Sequence, residues 1–315
     1  MRKLLLAVAV LSVSLFACKK DTVPSAPNPP ANSGEKFPVN FSVTGFLHKL
    51  EQLPDPGGRN GGTTNGLRDT ALAGKVSHLY FLLYTDMGQY VKMVYQNAAD
   101  TATDFGTLVD TLPANRYMIS LIASTGPVQI LDTTYFYGLR LRIPESSSPD
   151  EQASDPDIFV GNNSFTVTGY GQTQTIPLWP NRIMGKVEVN ILDAPAPGWP
   201  GDTSVQVYAS PAFRSTSVYY NSFDEPFLDP GKLLKRNSRT NFSTHLLNPY
   251  SEVTVTIIYS DKVTGERKRK DMRYVPYSRG YRTLMSGNIY APLGGGTGFA
   301  ISLDTTWNQF PEIPF

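Results

Sequence analysis

Apolar and polar residues alternate with a period of two along most of the chain after residue 37. The pattern is clearest at 185–192, where Val187, Val189 and Ile191 alternate with Lys186, Glu188 and Asn190. Strict alternation of this kind is typical of a β-strand with one buried face. Similar runs, separated by turn residues, lie at 39–46, 90–95, 105–112, 116–123, 164–168, 174–178, 205–208, 217–220, 252–259, 267–275, 282–285, 287–290 and 298–303. Short strands at regular spacing predict an all-β, antiparallel sandwich architecture.

One run breaks the alternation. Residues 76–84 read Val-Ser-His-Leu-Tyr-Phe-Leu-Leu-Tyr and are apolar on both faces at the centre. A strand with two apolar faces is buried on both. The run therefore predicts a central, doubly covered strand that turns at 85–88 into the hairpin arm 90–95. The one helix that the pattern favours is short, at 231–236.

The strand runs divide into two sets that meet near residues 178–182. The sequence predicts two tandem β-sandwiches, an N-terminal one at 38–180 and a C-terminal one with a tail at 181–315. The length after residue 37 suits two domains of ordinary size. The composition agrees, because 26 Gly, 25 Pro, 17 Tyr and 16 Phe beside only 17% charged residues favour strands and turns.

The N-terminus has the pattern of an export signal. Arg2 and Lys3 precede an uncharged apolar run at 4–17, which is shorter than the about 20 residues that span a bilayer. Residues 1–17 are therefore predicted to be a signal peptide. The sequence Leu15-Phe16-Ala17-Cys18 resembles a bacterial lipobox, and Cys18 is the only cysteine. We expect Cys18 to carry the lipid, with palmitate among its acyl chains; the alternative is an ordinary signal peptide with an incidental cysteine.

Residues 18–37 follow as the lipidated Cys and a tether rich in Pro, Ser and Asn, which cannot bury enough apolar surface to fold. Residue 19 is Lys rather than the Asp that retains lipoproteins at the inner membrane. These features predict a lipid-anchored protein of the cell outer membrane, with the outer face favoured over the inner face. Without Arg2 and Lys3 the formal net charge falls from +1 to −1, so no nucleic-acid partner is expected.

Motifs that carry chemistry are missing from the sequence. The three histidines, His48, His78 and His245, have no zinc-ligand spacing, and no G-x-S-x-G, phosphate loop or dinucleotide fingerprint occurs. We therefore expect no catalytic residues, no cofactor and no metal, and a protein that is not an enzyme. A pair of carboxylates for glycoside hydrolysis stays open, since the two can be distant in sequence.

Three polar or aromatic features have two interpretations each. The acidic cluster Asp150, Glu151, Asp155 and Asp157 fits a calcium loop, but a solvated surface loop is favoured. The basic run at 267–270 fits a docking patch for an acidic subunit, but a charged edge strand is favoured. The tryptophans could stack on sugar rings, although a role at a domain joint or chain end is favoured; they are Trp179, Trp199 and Trp307.

Four segments resemble a known family. They are "VSHLYFLLYTDMGQYV" at 76–91, "FGTLVDTLPANRYMISLIAS" at 105–124, "IPLWPNRIMGKVEVNIL" at 176–192 and "YRTLMSGNIY" at 281–290. Together with the lipobox and tether, they resemble the FimB-type fimbrial anchor lipoproteins of the fimbrillin superfamily. The resemblance implies two transthyretin-like sandwiches and a place at the base of fimbriae. It also implies fimbrial subunits or other surface proteins as partners.

The resemblance also implies a mode of assembly. Shaft subunits of that superfamily lose an N-terminal strand by proteolysis, and a strand of the next subunit fills the groove. Here the lipid on Cys18 holds the N-terminus, so we expect the strand at 39–46 to stay in its own sandwich. A docking role then falls to the tail at 305–315, which carries Trp307, Phe310, Ile313 and Phe315; alternatively, the tail folds back over its own domain.

Two functions compete on these grounds. The leading one is a structural and adhesion-related role as a fimbrial anchor or minor fimbrial subunit. The alternative is a surface glycan-binding lipoprotein of a polysaccharide-uptake system, in which glycan is a partner.

Overall fold

The computed structural model describes residues 34–43, 72, 74–101, 104–144, 155–169, 172–195, 205–220, 222–290 and 298–304. Strands account for most of these residues, which confirms the all-β fold class. The strands are β1 Lys36–Val43, β2 His78–Thr85, β3 Tyr90–Asn97, β4 Thr107–Pro113, β5 Asn115–Ser124, β6 Gln129–Leu131, β7 Arg140–Arg142, β8 Ile158–Val167, β9 Gln174–Leu178, β10 Asn181–Arg182, β11 Gly185–Ile191, β12 Gln206–Ser210, β13 Phe213–Ser217, β14 Phe223–Pro226, β15 Lys232–Leu233, β16 Lys235–Arg236, β17 Asn241–Leu246, β18 Glu252–Ser260, β19 Arg267–Pro276, β20 Arg282–Gly287 and β21 Phe299–Asp304. A three-residue 3-10 helix lies at Phe136–Gly138.

The first sandwich packs a three-stranded sheet, β4-β1-β9, against a five-stranded sheet, β10-β8-β5-β2-β3. Its core takes every second residue of the strands, as the alternation predicts: Val39, Phe41 and Val43 of β1 face Leu79 and Phe81 of β2 within one apolar cluster. In the three-stranded sheet, β1 runs antiparallel to β4 and parallel to β9.

The second sandwich packs β16-β17-β11-β20-β21 against β15-β12-β18-β19. Strand β11 shows the strict alternation that its sequence predicts, with the buried residues Val187, Val189 and Ile191 in the core. The hairpin of β18 and β19 supplies Val255, Ile257 and Met272 and other apolar residues to the same core.

A third, four-stranded sheet joins the two parts of the chain. Its order is β14-β13-β7-β6, and β7 of the first part pairs antiparallel with β13 of the second. Beneath it lies a separate apolar cluster of thirteen buried residues: Tyr80, Leu82, Tyr84, Ile122, Val128, Phe136, Leu139, Leu141, Ile143, Ile158, Val160, Met184 and Leu247. The sheet therefore covers the outer face of the five-stranded sheet of the first sandwich. The division of the chain at 180/181 stays a prediction.

The third sheet explains the uninterrupted apolar run. Strand β2 lies between β5 and β3, and its residues 79–84 are all buried. Leu79, Phe81 and Leu83 enter the first core, whereas Tyr80, Leu82 and Tyr84 enter the core under the third sheet. The prediction of a central strand covered on both faces is confirmed.

The short helix predicted at 231–236 is wrong. The segment instead forms β15, which pairs with β12, and β16, which pairs with β17. Leu234 between them is buried in the second core, and its N–H donates to the carbonyl of Val207 at 2.8 Å. Pairing with two existing strands outweighs the weak helical preference of so short a segment. Within the described ranges, no helix has the length and apolar character to cross a membrane.

Candidate interaction surfaces

The position for an N-terminal strand in the first sandwich is occupied by the chain's own β1. Seven residue pairs align β1 with β4, from Lys36 with Pro113 to Ser42 with Thr107, and five align it with β9. Phe41 is 1% exposed and packs edge-on against Phe165, with 5.3 Å between ring centroids. The observed strand begins three residues before the predicted 39–46, and residues 44–46 lie outside the described part of the chain.

Two other sheet edges offer exposed apolar side chains. β3 is an edge strand of the five-stranded sheet, where Val91, Met93 and Tyr95 are exposed. β21 is an edge strand of the second sandwich, where Ile301 and Leu303 are exposed. An exposed edge strand is a template for pairing with another chain. The predicted docking residues Trp307, Phe310, Ile313 and Phe315, which follow β21 in sequence, lie outside the described residues, as does Cys18.

The basic run at 267–270 forms a charged sheet edge, as predicted. β19 is the outermost strand of its sheet, and Arg267, Lys268 and Arg269 are exposed. Neighbouring carboxylates already neutralise part of this charge. Arg269 contacts both Asp229, at 3.1 Å, and Asp271, at 2.9 Å, and Lys268 contacts Asp261 at 2.6 Å. Hydrogen bonds from Arg269 and Lys268 lower the pKa of Asp229 and of Asp261 respectively.

The prediction of a solvated acidic loop is wrong for Asp155 and Asp157, which are both buried. Asp155 forms an ion pair with Lys232, and Asp157 forms one with Arg182 at 2.9 Å. The two carboxylates lie next to β8 in the first part of the chain. Their burial is possible because cations from later segments form ion pairs with them. Asp150 and Glu151 lie outside the described residues. The described ranges contain no grouping of three His, Cys, Asp or Glu side chains that would hold a metal ion.

We call Asp155, Asp157, Arg182, Lys232 and His245 the buried charge cluster. Nδ1 of His245 lies 2.9 Å from the backbone oxygen of Asp155. Burial raises the pKa of Asp157 and lowers the pKa of Arg182, although the attraction between the two opposes both shifts. The cluster ties 155–157, β10 and the second part of the chain together in one specific arrangement.

His78 and Trp179, which the sequence also singled out, lie in the described part of the chain. Nδ1 of His78 lies 2.7 Å from the hydroxyl of Tyr95, on the neighbouring strand β3. Trp179 is 46% exposed and follows β9 near the joint. A Cβ added at Gly161 would lie 2.9 Å from the carbonyl oxygen of Trp179, so glycine permits that close approach. Trp199 and His48 lie outside the described residues.

Four tyrosines that the sequence did not single out form an aromatic surface. We call Tyr135, Tyr137, Tyr219 and Tyr220 the tyrosine platform. Ring centroids are 5.3 Å apart between Tyr135 and Tyr137, 4.8 Å between Tyr137 and Tyr219, and 5.1 Å between Tyr219 and Tyr220. Tyr135, Tyr219 and Tyr220 are exposed, and Tyr137 is half-buried. The available signal was the pair of aromatic runs 135–137 and 219–220 in turn regions.

Backbone contacts hold the platform in place. The N–H of Phe136 donates to the carbonyl of Gly88 at 2.8 Å, and a Cβ at Gly88 would lie 2.7 Å from Cε2 of Tyr135. In the turn after β13, the N–H of Val218 donates to the carbonyl of Leu139 at 2.9 Å, and the N–H of Tyr220 donates to Oγ of Ser217 at 3.0 Å. The platform is therefore assembled from turns on both sides of the predicted division at 180/181.

Solved structures resemble the chain at low sequence identity. A candidate polysaccharide-binding protein from Bacteroides thetaiotaomicron matches with a TM-score of 0.52 and 11% identity, over 86% of this chain and 96% of its own. A candidate adhesin from Bacteroides ovatus scores 0.49 at 10% identity, covering 86% and 93%. The tip fimbrial protein Mfa3 from Porphyromonas gingivalis, with a C-terminal truncation, scores 0.43 at 11% identity, covering 86% and 99%.

At such identity the first likeness shows a shared fold and no more. The two lower scores do not establish a common fold. No protein-family model and no curated protein matches the sequence.

Proposed function

We propose that this protein is a lipid-anchored surface protein of the outer membrane that acts as a fimbrial anchor or minor fimbrial subunit, without catalytic activity. The observation that carries the proposal is the placement of β1 between β4 and β9. The proposal joins this placement to the sequence resemblance to fimbrial anchor lipoproteins.

The occupied groove supports a terminal position in the polymer. Val39, Phe41 and Val43 of β1 are buried in the first core, and burying side chains of this size stabilises by about 1.5–3 kcal/mol each. A donor strand from another subunit would have to displace all of them. A subunit that keeps β1 does not accept a donor strand there, so it would end the fimbria.

Lipidation would fix that end at the membrane. Acyl chains contribute about 0.8 kcal/mol per buried methylene, and stable anchoring takes two chains or a second signal. Cys18 lies shortly before β1 in sequence. In this proposal the short connection keeps β1 tied to the membrane side of the protein.

Contact with the fimbria then comes from another surface. The leading candidate is the tail at 305–315, which directly follows the exposed edge strand β21 in sequence. Its large apolar residues Trp307, Phe310, Ile313 and Phe315 suit pockets along a partner's sheet edge. Pro311 and Pro314 lack an N–H donor, which limits the pairing to an edge.

Replacing Trp307, Phe310, Ile313 and Phe315 by Ala tests the docking role in cells that assemble fimbriae. The expected result is loss of surface fimbriae or their release into the medium, with the variant still lipidated and folded. A matched variant, Thr305→Ala with Asn308→Ala, changes two polar residues of the same tail and should retain fimbriae. Normal fimbriae in the fourfold variant, or its unfolding, would refute docking by the tail.

A second function, binding of glycan at the cell surface, has separate support. One solved structure, which matches with a TM-score of 0.52, is named as a candidate polysaccharide-binding protein. In this chain, several exposed tyrosines are clustered on one surface. The two functions are compatible, since a fimbrial subunit that also binds glycan would serve adhesion.

A further inference from the structure

The tyrosine platform combines exposed rings with unused hydrogen-bonding groups. Tyr219 is 48% exposed and Tyr220 is 65% exposed. The planes of these two rings meet at 89°, and those of Tyr137 and Tyr219 meet at 84°. Within the described part of the chain, no hydrogen bond involves the hydroxyl of any platform tyrosine, so all four can donate to and accept from a ligand.

The platform tyrosines and the ion pairs beside them favour an uncharged ligand. Four charged residues of the adjoining strands β7 and β14 are paired with one another. Arg140 of β7 forms an ion pair with Asp224 of β14, and Arg142 forms one with Glu225 at 2.8 Å. The platform residues themselves are neutral. A charged ligand would therefore find no unpaired counter-charge on the four tyrosines or in these two ion pairs.

A sugar fits the platform better than an apolar protein surface. Tyrosine presents an apolar ring face and a polar tip. An apolar partner would cover the four hydroxyls without giving them hydrogen bonds, which costs free energy for each buried group. The carbon-bound hydrogens of a pyranose ring can lie on the ring face, while its hydroxyls pair with the phenolic oxygens.

The platform is also held rigidly before any ligand binds. Hydrogen bonds from Val218 to Leu139 and from Tyr220 to Ser217 fix the turn that carries Tyr219 and Tyr220. Beneath it, Phe136 packs edge-on against the fully buried Tyr84, at 5.3 Å between centroids. Tyrosine loses little conformational entropy on binding, and a fixed turn reduces that loss further.

We propose that the tyrosine platform Tyr135, Tyr137, Tyr219 and Tyr220 is a binding site for a neutral oligosaccharide. The proposal rests on the glycan-binding function and not on the anchor role. It assigns sugar binding to tyrosines of two turns, whereas the sequence pointed to the tryptophans as residues that could stack on sugars.

The test uses the full-length lipoprotein in detergent and an array of neutral oligosaccharides: β-1,3-glucan, α-mannan, xylan and β-1,4-galactan. Calorimetry then gives the affinity for the best-bound probe. Tyr219→Ala with Tyr220→Ala should lower that affinity at least about tenfold, equivalent to about 1.4 kcal/mol. Tyr219→Phe with Tyr220→Phe keeps the rings, so its loss should be smaller.

Tyr250→Ala is the matched control, because Tyr250 is 58% exposed but lies outside the platform. It should bind the probe as well as the unaltered protein does. Near-ultraviolet circular dichroism and thermal unfolding establish that each variant is folded. If the Tyr219/Tyr220 double alanine variant unfolds, the double phenylalanine variant decides, and unchanged affinity there overturns the proposal.

The possible failures are distinguishable. Binding of no probe by the unaltered protein would overturn both the site and the glycan-binding function. Binding that survives in the folded double alanine variant, or that Tyr250→Ala abolishes, would overturn the site alone. Neither result bears on the anchor role, which the assembly of fimbriae tests.

Discussion

Two central strands, β2 and β11, differ in the residues on their outer faces and in what covers those faces. Each lies inside a five-stranded sheet and sends alternate residues into a sandwich core. The outer face of β11 carries the polar residues Lys186, Glu188 and Asn190, whereas that of β2 carries Tyr80, Leu82 and Tyr84. The outer face of β2 is covered by a third sheet that takes strands from both parts of the chain.

An uninterrupted apolar run in an antiparallel sheet therefore indicates a strand that is covered on both faces. Alternation such as that of β11 specifies one buried face, and loss of alternation specifies a second layer. In this protein the second layer is also where the two parts of the chain meet, because Met184 and Leu247 enter the same core as Leu82. The tyrosine platform lies at the margin of that layer.

Removing Asp157, at the junction beside β8, should lower the stability of the fold most. Asp157→Ala removes the carboxylate that forms an ion pair with the buried guanidinium of Arg182, and breaking such a buried pair should destabilise by about 3–5 kcal/mol. Urea unfolding followed by circular dichroism measures this loss. The double variant Asp157→Leu with Arg182→Met removes both charges and should recover most of the stability. Asp229→Ala, at an exposed ion pair, is the control and should change little.

If Asp157→Ala is as stable as the unaltered protein, the buried charge cluster does not tie the parts of the chain together. Failure of the double variant to recover stability would instead assign the loss to the packing around Asp157.

The next largest effect is expected from substitutions on the outer faces of β2 and β11. Leu82 is fully buried under the third sheet, so Leu82→Ala should destabilise by about 2–5 kcal/mol. Glu188 holds the matching place on β11, where its carboxylate contacts Lys186 at 3.2 Å and accepts a hydrogen bond from Nδ2 of Asn241 at 2.9 Å. Glu188→Ala removes these polar contacts but opens no cavity in an apolar core, so it should cost less than Leu82→Ala. Equal losses in chemical unfolding would mean that the third sheet does not cover β2 in solution.

The smallest effect concerns one hydroxyl in that layer. The hydroxyl of Tyr84 is buried and has no hydrogen-bond partner in the described part of the chain, and burial raises its pKa well above the usual range. An unsatisfied buried group costs about 1–3 kcal/mol. Tyr84→Phe should therefore leave the thermal unfolding temperature unchanged or raise it by a few degrees. Tyr117→Phe, which removes a hydroxyl that donates to Pro113 at 3.1 Å, should lower it; the reverse order would contradict this account of the layer.

The elements predicted from the sequence are those that local pattern determines. The alternation places β11, β18 and β19 within a few residues, and the apolar run identifies β2 as doubly covered. The third sheet escaped prediction because β6 and β7 have three residues each, too few to show a period. Its partners β13 and β14 are distant in sequence, so only the fold brings them together.

The candidate sites show the same limit. The charge of β19 was predictable, because an edge strand is specified by its own residues. The burial of Asp155 and Asp157 was not, since Lys232 is 77 residues away from Asp155. The tyrosine platform combines two short aromatic runs that each look like ordinary turn residues.

We propose that the protein keeps its own β1 while lipid holds it in the membrane, and intact-mass spectrometry detects both features in one experiment. The sample is the protein extracted from outer membranes of cells that carry fimbriae. We expect one polypeptide that begins at an acylated Cys18 and includes residues 36–43. A polypeptide that begins after residue 43, and has therefore lost β1 and the lipid, would contradict it.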